Sequence, residues 1–273
     1  ALREADKKKH EDEIKGMAAQ DFQAWSDAVQ ARFARAVGDI RYYGGFRFGP
    51  WHDADPSWQP FGAYRFILPR VEVSRTRAGG VVMALNLVRE AGGNWPALDE
   101  LVLTEAPAVY QPPGLPSVRG RLMEPDDATW AAGVERALAL MRAGQMDKVV
   151  LARRALLALS GPADALALLH GLQRETGRCF QFCGSHGAGF SFLGASPELL
   201  FRRTGRRLES EAVAGTRPRG ATAAEDETLG TELLRHPKEA EEHRLVRDRI
   251  VRDLAGLSRQ VEAEAGPSLL KLG

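Results

Sequence analysis

The chain has only two cysteines in 273 residues, and no apolar run approaches the length of a membrane span. Cys179 and Cys183 stand four apart in Cys-Phe-Gln-Phe-Cys, and in an extended strand their Cα atoms would lie roughly 13 Å apart. That separation excludes a disulfide between them. With so few thiols, and an opening from Ala1 to Lys15 that is charged and not apolar, the expected compartment is a reducing cytoplasm. The best apolar stretch, Gly79 to Val88, falls well short of the roughly 20 residues a transmembrane helix needs. Net charge is scarce too: 37 Lys and Arg face 36 Asp and Glu, leaving +1. This balance offers no global field to nucleic acid or to an anionic membrane, so any charged ligand must be met by a local site.

Several catalytic signatures are missing as well. No Gly-x-Gly-x-x-Gly follows a strand and no phosphate-binding loop is present, which disfavours a nucleotide fold. There is no Gly-x-Ser-x-Gly elbow, and Cys179 lies in an apolar run with no evident base, so nucleophilic catalysis has no candidate. His10, His52, His170, His186 and His236 lack metal-ligand spacing. Internal repeats and low-complexity tracts are absent.

What remains is the pattern of a globular protein, 44% hydrophobic and 27% charged. Residues 1–15 read as a solvated helix or a frayed end, and Phe22, Trp25, Val29 and Phe33 mark an amphipathic helix over 18–36. From Ile40 to Val88 short β-branched and aromatic runs alternate with Gly-Pro, Asp-Pro and Gly-Gly, which predicts antiparallel strands at Arg41 to Phe48, Ala63 to Pro69 and Gly80 to Val88. The proline-rich segment 105–126 reads as a long loop joining two halves of one fold. Asp126 or Asp127 can cap a helix with Trp130, Val134, Leu138 and Met141 on its apolar face. A strand is expected over 147–159 and a helix over 162–175. Two hairpins follow, Cys179 to Cys183 with Phe190 to Ala195, and Leu199 to Arg203 with Arg207 to Val213. The last segments, through Leu229, Leu233 and Leu234 and then Leu245, Val246, Ile250, Leu254 and Leu257, are helical. Helices grouped between hairpin-linked strands predict an α+β fold with antiparallel sheets. The expected organisation is a single domain over 1–273: 1–104, the 105–126 connection, and 127–273.

Four short stretches can carry chemistry. In Lys238-Glu-Ala-Glu-Glu-His243, Glu239 and Glu242 share a helix face, and two carboxylates so placed suit a hard divalent cation such as magnesium. The same stretch also fits an exposed helix laced by Lys238 to Glu242, Arg244 to Asp248 and Arg249 to Asp253 pairs. Pro197 enforces a turn that puts Glu198 at a sheet edge, where a partly buried carboxyl can act as a general acid, although Ser-Pro-Glu is also ordinary turn chemistry. In Ala214-Gly-Thr-Arg-Pro-Arg-Gly220, Gly215 and Thr216 allow backbone N–H groups to approach a ligand, and the arginines suit a carboxylate; an exposed loop fits equally. Lys148 opens an apolar run, Val149-Val-Leu151. Facing inward it would serve as a base, and facing outward it would snorkel to solvent.

Taken in order, Asp147-Lys-Val-Val-Leu-Ala-Arg153, Phe192-Leu-Gly-Ala-Ser-Pro-Glu-Leu-Leu200, Glu211-Ala-Val-Ala-Gly-Thr-Arg-Pro-Arg-Gly220 and Lys238 to His243 resemble the chorismate-utilising enzymes. The match is strong over about 120–260. The N-terminal part, with Tyr43-Gly-Gly-Phe-Arg-Phe48 and Phe66-Ile-Leu-Pro-Arg-Val-Glu72, looks like the variable half of isochorismate synthases. The resemblance implies water as nucleophile, because Lys148 stands where the ammonia-using members have glutamine. Ala214 stands where aminodeoxychorismate synthases carry a nucleophilic lysine, which argues against that branch.

The implied reaction is magnesium-dependent conversion of chorismate to isochorismate, serving menaquinone synthesis. In it Lys148 takes the proton of the attacking water and Glu198 protonates the departing hydroxyl. Glu242 matches a magnesium ligand and Glu239 an outer one; Ala214, Gly215 and Thr216 match the substrate-carboxylate cradle, and Arg153 is a supporting charge. The family pattern also implies a monomer without an obligatory amidotransferase subunit. The other readings are a salicylate synthase, a siderophore-pathway enzyme and a non-catalytic module that keeps the fold. Family members continue beyond the position of Gly273 into elements that supply another metal-ligating glutamate. The 273-residue chain is therefore expected to be inactive alone.

Overall fold

The computed structural model describes residues 12–16, 22–36, 40–47, 56–89, 92–95, 110–186 and 189–272. The chain divides into two compact units, Ala1–Tyr110 with Gly184–Ser191, and Gln111–Cys183 with Phe192–Gly273. The division falls inside the proline-rich 105–126 segment.

In the first unit the predicted helix is α1, Phe22–Arg35, while 17–21 lie outside the described residues. Of the charged opening segment 1–15, residues 1–11 lie outside the described residues, and 12–15 belong to a strand and not to the expected helix or frayed end: β1, Asp12–Gly16, pairs antiparallel with β3, Tyr64–Leu68. Its ladder partner lies far along the chain, which local charge patterning does not reveal. Strand β2, Tyr43–Phe46, pairs on the other side of β3. Ala63, Tyr64 and Leu68 are buried, and Val29, Tyr42 and Phe66 pack against Ala63 and Tyr64. Val71–Arg75 forms β4, a strand the sequence reading did not separate, and it pairs with β5, Val81–Leu85. Glu72 on β4 is buried and accepts from Arg41 Nη1 and from Tyr43 Oη.

The second unit starts with a correction. The segment read as a connecting loop contains β6, Val118–Glu124, which pairs antiparallel with β7, Arg154–Leu159. The prolines at 112, 113, 116 and 125 stand outside this strand, where they remove no ladder donor. The expected 147–159 strand is correspondingly shorter: among the described residues 148–153 have no ladder partner, and Val150 is largely exposed. Asp126 caps α2, Asp127–Arg142, by accepting from Thr129 N at 2.8 Å, and Asp164 caps α3, Ala165–Glu175, in the same way.

Strands β8, Phe180–His186, and β9, Phe190–Ser196, form the next hairpin. Strands β10, Arg202–Thr204, and β11, Arg207–Glu209, form a shorter one than expected. Helix α4, Ala223–Arg235, opens with a reciprocal capping box between Thr222 and Glu225. It hands over at His236 to α5, Pro237–Ala255, whose first position is the proline that a helix start tolerates best. The architecture is α+β with small antiparallel sheets. No helix among the described residues is long and apolar enough to cross a membrane, and both cysteines are free thiols.

Candidate active site

Helix α5 carries two kinds of carboxylate. On its solvent side Arg244 bridges Glu241 and Asp248, and Arg249 pairs with Asp253, all within one helical turn or so. The Arg244–Asp248 and Arg249–Asp253 pairs are those the spacing predicts, each of small energetic weight. The third such pair, Lys238 to Glu242, is absent. Instead Glu242 Oε1 accepts from Lys148 Nζ at 3.0 Å, a contact between residues 94 positions apart. Glu239, one turn earlier and 12% exposed, takes Arg217 Nη1 at 3.1 Å. The two acids flagged from the sequence therefore meet cations from elsewhere in the second unit, and not their helical neighbours.

Arg217 organises this corner. Its guanidinium donates to Glu239, to Glu232 Oε1 at 3.3 Å and to the carbonyl of Thr216 at 2.9 Å. That planar fork joins the end of α4 to the first turn of α5. The hydrogen bond from Arg217 holds the Glu239 carboxyl below its ordinary range, so it is ionised at neutral pH. The sequence offered the arginines of Gly215-Thr-Arg-Pro-Arg219 as partners for a ligand carboxylate. The structure occupies both with carboxylates of the chain itself, since Arg219 pairs with Asp226. Asp226 also takes Lys271 Nζ, and the two cations hold its carboxyl far below the usual range.

Gly215 adopts φ 76°, and a β-carbon there would stand 2.8 Å from Glu239 Oε2. The positive φ favours glycine, and the close approach brings the backbone of the Ala214–Thr216 loop against the Glu239 carboxylate. The strand expected to lead into this loop ends at Glu209, because 211–220 finds no ladder partner among the described residues. Thr216 is exposed and Ala214 half-buried.

Glu198 lies two residues past β9 in an exposed turn, where its backbone N–H reaches Ser196 Oγ at 3.4 Å. The next residue ties this turn to the loop that leads to Gly215. Leu199 N donates to Glu211 Oε2 at 3.3 Å, and Glu211 N donates to Leu199 O at 3.4 Å. No hydrogen bond or ion pair joins Glu198 to Lys148, Glu239 or Glu242 among the described residues. Arg153 is committed at the start of α2: it donates to Pro125 O and to Asp127, and its guanidinium lies 6.0 Å from the Trp130 ring centroid. The structure thus gathers Lys148, Glu239, Glu242 and Gly215, and holds Glu198 and Arg153 by separate contacts. Arg217 and Glu211 are the partners that sequence reasoning missed; only the presence of an arginine beside the Gly-Thr pair hinted at the first.

No three or more His, Cys, Asp or Glu side chains among the described residues stand together as a metal cage. Two carboxylates one helical turn apart are nevertheless the oxygen donors that suit magnesium, which keeps several waters and takes one or two carboxylates plus a ligand group. The donor set fits that ion and lacks the nitrogen and sulfur ligands that most zinc sites include.

The chain is similar to several known proteins. Isochorismate synthase MenF of Bacillus subtilis is 31% identical over 240 residues, 86% of this chain and 50% of its own. The salicylate biosynthesis isochorismate synthase of Pseudomonas aeruginosa is 32% identical over 95% of this chain and 56% of its own. Among solved structures, the menaquinone-specific isochorismate synthase MenF of Escherichia coli superposes with a TM-score of 0.76 at 25% identity, covering 97% of this chain and 59% of that one. The chain spans about half the length of the curated relatives it matches. A family model described as chorismate binding enzyme matches residues 2–273, and the chain belongs to that family.

Proposed function

We propose that this chain is the motif-bearing part of an isochorismate synthase that converts chorismate to isochorismate with magnesium. The observation that carries the proposal is the convergence of Lys148, Gly215, Glu239 and Glu242, from three separated motifs, on one corner of α5. The relatives above are isochorismate synthases by name, which supports the same reaction.

In this reading Lys148 accepts a proton from water as its oxygen bonds to ring carbon C2. The ring double bonds shift, the C4–oxygen bond breaks, and Glu198 donates the proton that lets the hydroxyl leave as water. The reaction is a net isomerisation, so no oxidant or second substrate is needed. The backbone N–H groups at Gly215 and Thr216 orient a substrate carboxylate, beside a position where Ala214 offers no competing amine. Arg153 acts at a distance, by fixing the start of α2. Glu242 would hold the magnesium ion directly and Glu239 through water, and such an ion would supply charge neutralisation for the ring carboxylate of the substrate.

We further propose menaquinone synthesis as the destination of the product, a monomer that needs no amidotransferase partner, and a cytoplasmic location. Incubating the full-length protein with chorismate and magnesium, and identifying the product by chromatography, tests the reaction. Isochorismate is expected to accumulate; salicylate with pyruvate would move the assignment to a salicylate synthase, and no conversion would leave only a binding role.

A further inference from the structure

The loop that carries Gly215 and Thr216 has no ladder partner among the described residues, so side chains must fix its course. Ahead of the loop, Glu211 exchanges hydrogen bonds with Leu199. In its middle Arg217 reaches Glu232 and Glu239. At its end the contacts converge on a single acid, Asp226 in the first turn of α4. Arg219 gives this acid two parallel hydrogen bonds, Nε to Oδ1 at 2.6 Å and Nη2 to Oδ2 at 3.1 Å, and the backbone N–H of Gly220 donates to Oδ1 at 3.3 Å. Lys271 Nζ donates to Oδ2 at 3.0 Å. We propose that Asp226 is a positioning residue for the substrate-carboxylate cradle at Gly215 and Thr216, holding the loop from its far end; the proposal rests on the reading of that loop as the cradle.

The local geometry suits this role. The Asp226 side chain is 12% exposed although it is charged, and a fork of two bonds fixes the relative plane of both groups where one bond would not. Gly220 is pressed against the same turn of α4: a β-carbon there would fall 2.2 Å from Asp226 N. Backbone contact and charge together therefore seat the end of the loop on the helix. Pro218 stands between the two anchored arginines, and its ring locks φ. A displacement of Arg219 is thus passed to Arg217 with little slack. Arg217 Nη1 in turn donates to Thr216 O, the carbonyl of a residue whose N–H serves the cradle.

Positioning and mere stability have different kinetic signatures. A cradle held loosely loses grip on the substrate carboxylate in the ground state and the transition state alike, which raises KM and leaves kcat. An acid that served only the fold would, when removed, lower the share of folded enzyme. Apparent kcat would then fall at unchanged KM.

Steady-state kinetics of the full-length protein with chorismate and magnesium test the proposal in Asp226→Asn, which keeps one acceptor oxygen and replaces the other with an amide donor. KM should rise by at least about fivefold, with kcat within about twofold of wild type. Lys271→Met leaves the arginine fork in place and should keep the wild-type KM. Affinity for Mn2+, used in place of magnesium, should not change in Asp226→Asn, because Arg217 keeps its hold on Glu239; a matching loss of Mn2+ affinity overturns the assignment to the cradle. A fall in kcat at unchanged KM overturns the positioning role and leaves the reaction standing. A wild-type protein that converts no chorismate overturns the reaction, and the proposal with it. If Asp226→Asn does not fold, Arg219→Lys decides, since it keeps the cation and loses the fork: a raised KM supports the proposal and a wild-type KM overturns it. A second measurement on the full-length protein needs no turnover. Trypsin cleaves after arginine unless proline follows, so within Ala214–Gly220 only the Arg219–Gly220 bond is open to it. Cleavage there, relative to cleavage after the exposed Arg206, should quicken several-fold in Asp226→Asn; an unchanged ratio overturns the proposal.

Discussion

Gly215 and Glu239 lie so close that a β-carbon on the glycine would stand 2.8 Å from the carboxylate oxygen Oε2, and Leu233 closes the same space at 3.2 Å. Gly215→Ala therefore carries two penalties. The left-handed φ of 76° costs an L-residue about 1–2 kcal/mol, and the new methyl group pushes Glu239 away from Arg217. Thermal unfolding should register the strain as a fall of several degrees. The kcat/KM for chorismate in the full-length protein should fall by more than about tenfold; a variant with wild-type kcat/KM would show that the Gly215 backbone does not shape the site.

Arg217→Met removes the cation that holds the Glu239 carboxyl below its ordinary range. Because Arg217 lowers the folded-state pKa of Glu239, its stabilising effect is complete above the unfolded value of about 4.3 and is lost as pH falls through the lower folded value. The urea midpoint of the variant should lie below that of wild type near neutral pH, and the two should converge as pH drops below about 4. Parallel curves across that range would mean that Arg217 acts by packing and not by charge.

Glu198 and Glu242 are expected to separate chemistry from metal binding. Glu198→Gln preserves shape and hydrogen bonding but cannot deliver a proton, so kcat should fall by at least about 100-fold. Mn2+ affinity should not change, since Glu198 makes no contact with Glu239 or Glu242 among the described residues. Retained turnover would remove Glu198 from the acid role.

How much of this was readable beforehand depended on the range of the interaction. Helices α2, α3 and α4 follow from apolar spacing and from side chains that cap their own first turn, Asp126, Asp164 and Thr222, all local facts. Strand β6 was hidden because its partner, β7, lies some 30 residues on, and nothing local distinguishes Val118–Glu124 from a loop beside prolines. The site shows the same contrast. Two of three helical ion pairs on α5 form as their spacing suggests, but Glu242 takes Lys148 over Lys238. Spacing ranks neighbours on one helix; it holds no information about a cation delivered from another motif. Motif order supplied what spacing lacked, by placing Lys148, Gly215, Glu239 and Glu242 in one family pattern without saying which would touch.

The last prediction concerns the first unit, where Gly44 on β2 faces Phe66 on β3. A β-carbon at Gly44 would fall 1.9 Å from the Arg65 carbonyl oxygen and 2.7 Å from Phe66 Cα. Those are backbone atoms that cannot rotate aside, so a side chain must lift β2 from its partner. On either side β2 is held by the Tyr43 hydroxyl, 2.8 Å from Glu72 Oε1, and by the Phe46 and Phe66 rings, 5.1 Å apart. Lifting it weakens both. Gly44→Ala should destabilise the protein by about 2–3 kcal/mol, the upper range for an overpacked site. Gly45 is the internal control, because a β-carbon there meets nothing within 4 Å. Gly45→Ala should shift stability by less than about 0.5 kcal/mol. Equal urea midpoints for the two variants would show that β2 is not pinned to β3 at Gly44, and a low midpoint for Gly44→Ala alone would show that it is.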